Sequence, residues 1–157
     1  MKKFLQKKLK DQKGMTLIEL LAVIVIIAII AAIAIPAIGN IIDNSRVGAI
    51  KSDAQNAIQG AELLLIDNPD ALAAATDTIT LDELVSEYLD DEASFENDTT
   101  FEITRNATSG QLELTGVGTI GSVEVTFSDA DKGMINGLAN NADVGTAAAN
   151  SAVVTAR

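Results

Sequence analysis

Glu19 is a carboxylate set inside an otherwise apolar stretch. Residues 20–35 are sixteen consecutive apolar residues, and the wider window 15–38 is broken only by Thr16, Glu19 and Pro36. A charge at the bilayer centre costs roughly 2.5–3.5 kcal/mol on insertion scales, and less near the ends. Two readings follow from geometry alone. Glu19 sits at headgroup level with the span opening at Leu20, or it is retained because it meets a cation. The second anomaly is Pro36, followed by Gly39. Proline removes one helix hydrogen bond and crowds the preceding turn, so a kink or an unwound turn is expected there.

The other residues that bear chemistry are sparser. Asp129 and Asp131, in Ser128-Asp129-Ala130-Asp131-Lys132-Gly133, resemble the start of a calcium loop. The twelfth position from Asp129 is Asn140, so the closing Glu of an EF-hand is missing. Asn97-Asp98-Thr99 and Asn106-Ala107-Thr108 match the glycosylation sequon, a short pattern that arises often by chance. Asp90-Asp91-Glu92 reads as a solvated helix end rather than a general acid/base pair. The chain has no His, Cys or Trp. A catalytic His, a Cys/His metal site and disulfides are thereby excluded, and no cofactor is expected.

The elements that carry these residues follow from patterning. About 20 apolar residues span a bilayer as a helix, so 15–38 qualifies. Beyond Pro36, apolar residues recur at spacings of three and four from Ile38 to Leu65, which predicts an amphipathic helix. The heptad is not sustained, which disfavours a plain coiled coil. Asp67-Asn68-Pro69 ends it. One helix over 16–66 would be roughly 77 Å long. Thr80 and Glu83 form a capping-box pattern, flanked by Ile79 and Leu84, ahead of a short helix over about 81–90.

Segments 101–105, 111–115 and 122–127 alternate apolar and polar residues and predict an antiparallel meander. Residues 106–110 and 116–121 are read as its connections. Phe101, Ile103, Leu112, Leu114, Val123, Val125 and Phe127 should form the face that covers the helix. Val153-Val154 offers a short edge strand, in a tail (140–157) otherwise read as loosely ordered. The fold class is therefore α+β: a long N-terminal helix with an antiparallel sheet of three to four strands.

Charge is unevenly divided. Residues 1–14 hold six Lys against Asp11, a net of +5; the remainder holds five basic against 21 acidic side chains, a net of −16. A polyanionic body repels phosphate backbones, so no nucleic-acid partner is indicated. A Lys-rich flank beside an apolar run stays cytoplasmic, which puts the N-terminus inside and the acidic body outside. Ala32-Ile33-Ala34 offers a secretory cleavage site, but the apolar stretch exceeds the usual 7–15 residues of a signal peptide.

The junction reads Lys13-Gly14-Met15-Thr16-Leu17-Ile18-Glu19-Leu20. A Lys-rich leader ending in Gly, with Glu five residues on at the head of a long apolar helix, resembles the class III signal of type IV prepilins and type II pseudopilins. The likeness covers about residues 1–40. It implies cleavage between Gly14 and Met15 by a prepilin peptidase, N-methylation of Met15, and a place for Glu19 as the fifth residue of the mature chain. Pro36 becomes the twenty-second, a position often held by proline in this family, where the helix can be partly unwound. Met15 stands where many members have Phe. The C-terminal disulfide loop of many Gram-negative pilins is absent, which points to a Gram-positive type or a pseudopilin.

A physical need stands behind the spacing. Cleavage creates a free α-amine at the start of an apolar helix, costly to bury unpaired. A carboxylate one turn away on a staggered neighbour can neutralise it and set the axial register.

The expected organisation is a cleaved leader (1–14), a transmembrane and polymerisation helix (15–38), an amphipathic helix packed on the head (39–68), a linker with a short helix (69–100), a β-meander (101–127) and a C-terminal region (128–157). The implied role is that of a major, non-enzymatic pilus subunit serving adhesion, motility or DNA uptake. Its implied partners are identical subunits, the peptidase, an inner-membrane assembly platform with its ATPase, and lipid before assembly. It would rest in the cytoplasmic membrane as precursor and on the cell surface as filament. The alternatives are a pseudopilin of a secretion or competence system and, from another class, a monomeric membrane-anchored binding domain.

Overall fold

The computed structural model describes residues 16–74, 76–96, 98–145 and 151–157. Helix α1 runs over Leu17–Asp67. The chain divides into two compact units, Met1–Asn40 and Ile41–Arg157.

In the first unit, α1 is apolar all round from Leu20 to Ile35. Leu17 is 81% exposed and Ile33 is 72% exposed, and no residue of the membrane-length window is buried. A helix with no polar face is suited to lipid or to a bundle of its own kind, not to a water-facing surface. Pro36 and Gly39 both lie within α1, with no unwound turn.

In the second unit, α1 buries one stripe: Val47, Ile50, Ala54, Ala57, Ile58, Ala61 and Leu64. Ile41 and Ile42 are exposed, so the packed face opens at Val47 rather than just after Pro36. Strand β1 (Ile79–Thr80) leads into α2 (Leu81–Glu87) through the expected capping box at Thr80. The Thr80 amide donates to Glu83 Oε2 at 2.8 Å. The short helix is about one turn shorter than expected, ending at Glu87. A single 3₁₀ turn, Ala93–Phe95, follows.

Strands β2 (Glu102–Arg105), β3 (Leu112–Ile120), β4 (Val123–Asp131) and β5 (Ser151–Ala156) complete a five-stranded antiparallel sheet in the order β1-β2-β3-β4-β5. Ile103, Leu114, Val123, Val125 and Phe127 of the sheet share one core with the α1 stripe, and Phe101 joins them just before β2. Of the expected face, only Leu112 is half-buried.

The structure corrects three sequence expectations. Residues 116–120 belong to β3, and the turn is confined to Gly121-Ser122. Gly118 is there for close approach: a Cβ on it would collide with the Ile50 side chain. Second, β4 continues to Asp131 and is followed by helix α3 (Lys132–Gly137). Two residues of β4, Ser128 and Asp129, oppose Thr115 of β3, a β-bulge that makes this stretch look like a loop in sequence. Third, the tail is not loose where described. β5 pairs with β4 along its length, and Arg157 donates to Asn44 Oδ1 and to the carbonyls of Asn140 and Ala142, each at 2.8 Å.

Phe95 sits in the segment read as a linker, yet it is a core residue. Its ring meets Phe101 edge-on at 5.0 Å and Phe127 at 6.0 Å.

Candidate functional site

The start of α1 is built by two side chains. The Thr16 amide and the Thr16 hydroxyl both donate to Glu19 Oε2, each at 2.8 Å. The Glu19 amide donates back to Thr16 Oγ1 at 3.3 Å. This reciprocal arrangement is a capping box, which satisfies amides that a helix start otherwise leaves without partners. It also holds the Glu19 carboxylate against the positive end of the helix dipole. Both residues are exposed. The carboxylate is therefore fixed in direction by its own chain and open to an external cation.

Gly14 and Met15, the expected cleavage junction, lie outside the described residues, directly before this cap. Pro36 lies seventeen residues on, inside α1. Proline offers no amide hydrogen, so the carbonyl one turn earlier, on Ala32, lacks its regular helical donor.

Thr16 is the site residue that the sequence reading passed over. The signal was present: Thr16-Leu17-Ile18-Glu19 has the same S/T-x-x-E spacing as Thr80–Glu83. The setting of Glu19 as a charge in an apolar run masks that spacing.

The other candidates have local structural roles. Asp129 is the bulge residue of β4, with a positive φ of 47° that Asp tolerates, and its amide donates to Thr115 Oγ1 at 3.2 Å. Asp131 caps α3, accepting from the Met134 amide at 2.8 Å. Among the described residues, no three acidic side chains converge on a cation position. Asn106 builds its own turn: Oδ1 accepts from the Thr108 and Ser109 amides at 2.8 Å, while Nδ2 donates to Glu113 Oε1 at 2.7 Å. The second sequon's side chain is thus engaged through both Oδ1 and Nδ2, while Asn97 of the first lies outside the described residues.

In the second unit, Tyr88 Oη donates to Asp67 Oδ2 at 2.9 Å, tying the segment after α2 to the last residue of α1. That hydrogen bond, with desolvation and the charges of Asp67 and then Glu87 adding to it, holds the Tyr88 phenol above its ordinary pKa.

With this geometry in place, residues 9–35 match the family model for the prokaryotic N-terminal methylation motif. The chain carries a prepilin-type N-terminus. The motif is the class III signal sequence of type IV pilins; a motif of this kind implies prepilin peptidase processing and pilus assembly machinery, and with the apolar helix it suggests membrane anchoring. No curated protein and no solved structure matches the chain. The long N-terminal helix followed by an antiparallel sheet is the architecture typical of the pilin fold.

Proposed function

We infer that this chain is the repeating subunit of a type IV pilus, cut between Gly14 and Met15 and assembled through the apolar part of α1. The observation that carries this reading is the Glu19 carboxylate, held by Thr16 at the head of an all-apolar helix, directly after a methylation-motif junction.

Cleavage leaves an α-amine at Met15. In the filament, the Glu19 carboxylate of a staggered neighbour neutralises that cation, because either charge buried alone costs several kcal/mol. The pair fixes axial register, while apolar contact among the helices replaces contact with lipid. The Lys-rich leader keeps the N-terminus cytoplasmic until processing, and the acidic head lies outside. The role is structural rather than enzymatic: adhesion, motility or DNA uptake would be properties of the polymer.

Electron microscopy of cells at native expression tests the reading. Surface filaments should be present, yield this chain as their main component after shearing, and vanish when its gene is deleted. Filaments appearing only on overexpression would favour a pseudopilin of a secretion or competence system. A chain that stays monomeric in the membrane would contradict both.

A further inference from the structure

The second unit distributes its charges unevenly. Residues 41–157 contain five cations, and three are consumed within the fold. Arg46 pairs with Asp43 at 3.1 Å, Lys51 donates to the carbonyls of Asn136 and Leu138, and Arg157 secures the tail. The other two, Arg105 and Lys132, border one cleft of about 500 Å³ floored by Ile58, Leu65, Ile66 and Leu112. Arg105 is exposed and makes no hydrogen bond or ion pair among the described residues. Lys132 meets Glu62 only at 3.4 Å, with both side chains half exposed. Ile66, at 73% exposed, is a large apolar side chain left on this rim.

The complementary feature is the acidic run 87–96, with Glu87, Asp90, Asp91, Glu92 and Glu96 and no basic residue. Asp91 accepts from the Ala93 amide at 3.1 Å; among the described residues the other four carboxylates have no hydrogen bond or ion pair. The run borders a second cleft, whose α1 side is Asp53, Asn56, Ala57, Gln59, Gly60 and Leu63. The basic cleft takes Ile58, Glu62, Leu65 and Ile66 from α1. At about 100° per residue the centres of these two sets lie roughly 155° apart around α1.

We propose that the Arg105–Lys132 cleft is a docking site for the 90–92 acidic segment of a second copy of this chain. Donor and acceptor lie on opposite faces of the helix, so one head cannot satisfy both for itself. Two different complementary patches make a heterologous contact, and such contacts propagate into open helical assemblies wherever the rotation does not close a ring. The charges select partner and register, while Ile66 and Leu112 supply apolar area beneath them. This rests on the polymer reading above and adds a head-to-head bond to the helix bundle.

The test uses full-length chains expressed in cells. Arg105→Glu and Asp90→Arg should each cut the yield of sheared filaments by roughly tenfold, with processing and chain level unchanged, and combining them should restore most of the yield. The chain has no cysteine, so co-expressing separate Gln111→Cys and Glu92→Cys chains should give a bismaleimide-linked dimer that neither gives alone. If wild-type filaments form and Arg105→Glu leaves them unchanged, or the mixed dimer is absent, the docking site is overturned while the pilus reading stands. Normal Arg105→Glu filaments that lose binding to duplex DNA or heparin would assign the cleft to an anionic polymer, also overturning it. Absence of wild-type filaments overturns the polymer reading and this proposal together.

Discussion

Thr16 Oγ1 and Glu19 Oε2 stand 2.8 Å apart, closing a cap at the first turn of α1. The relationship gives Glu19 two functions at one place. Within its own chain it satisfies helix-start donors. In the proposed filament it also meets the amine of a neighbour. A carboxylate already oriented by Thr16 loses less conformational freedom when that amine arrives.

The two residues are separable by mutation. Glu19→Ala removes both cap and charge; processing should persist while filament yield falls at least about tenfold, the loss expected where one buried charge is left alone. Thr16→Ala removes only the hydroxyl, a loss of about 1 kcal/mol for a typical cap, so filament yield should fall several-fold at most. Immunoblots of processed chain and of sheared filaments, in a strain lacking wild-type subunits, check both. Equal losses for the two variants would mean that Glu19 acts as a cap alone.

Gly14→Val should block cleavage. The leader then keeps its six Lys on the cytoplasmic side, and the chain accumulates as a slower-migrating membrane precursor with no filaments. Normal mature chain from this variant would place the cut elsewhere.

Gly118→Ala tests how the sheet meets α1. The added methyl would run into Ile50, a fully buried residue, with Ser94 and Phe95 close on the other sides. Overpacking of this kind costs typically 1–3 kcal/mol. Urea unfolding of the purified chain should show a lower midpoint with an unchanged slope. An unchanged midpoint would mean that β3 and α1 are not in contact at this position.

Tyr88 is the sole tyrosine, and the chain has no tryptophan, so its ionisation is directly visible in ultraviolet absorbance. Its pKa is raised, chiefly by the hydrogen bond to Asp67. The bond's contribution to stability is therefore complete below the unfolded value of about 10 and fades as pH rises through the folded midpoint. Asp67→Asn should lower that midpoint towards the ordinary value. An unmoved midpoint would remove Asp67 as the cause.

The helix and most of the sheet were legible because their patterns are local. Three-and-four spacing through Ala61 and Leu64 and alternation through Val123, Val125 and Phe127 each specify one buried face. What was missed depends on partners distant in sequence. Gly118 looks like a turn residue until Ile50 is placed against it. Phe95 looks like linker until Phe101 and Phe127 surround it. Asp129 looks like a loop residue until β4 is seen to carry it in a bulge opposite Thr115. Arg105 carries no sequence signal, since its lack of an internal partner emerges only from the folded positions of the other charges. At the assembly site Glu19 was evident from its setting, whereas Thr16 was hidden behind it.

Mass spectrometry of the mature N-terminus tests the central claim most directly. Chain isolated from the cell surface should begin at Met15, with one methyl group on its α-amine, placing Glu19 fifth. A chain that begins at Met1, or at Ile35 after the Ala32-Ile33-Ala34 site, would leave Glu19 without the amine that it is proposed to neutralise, and would contradict the account.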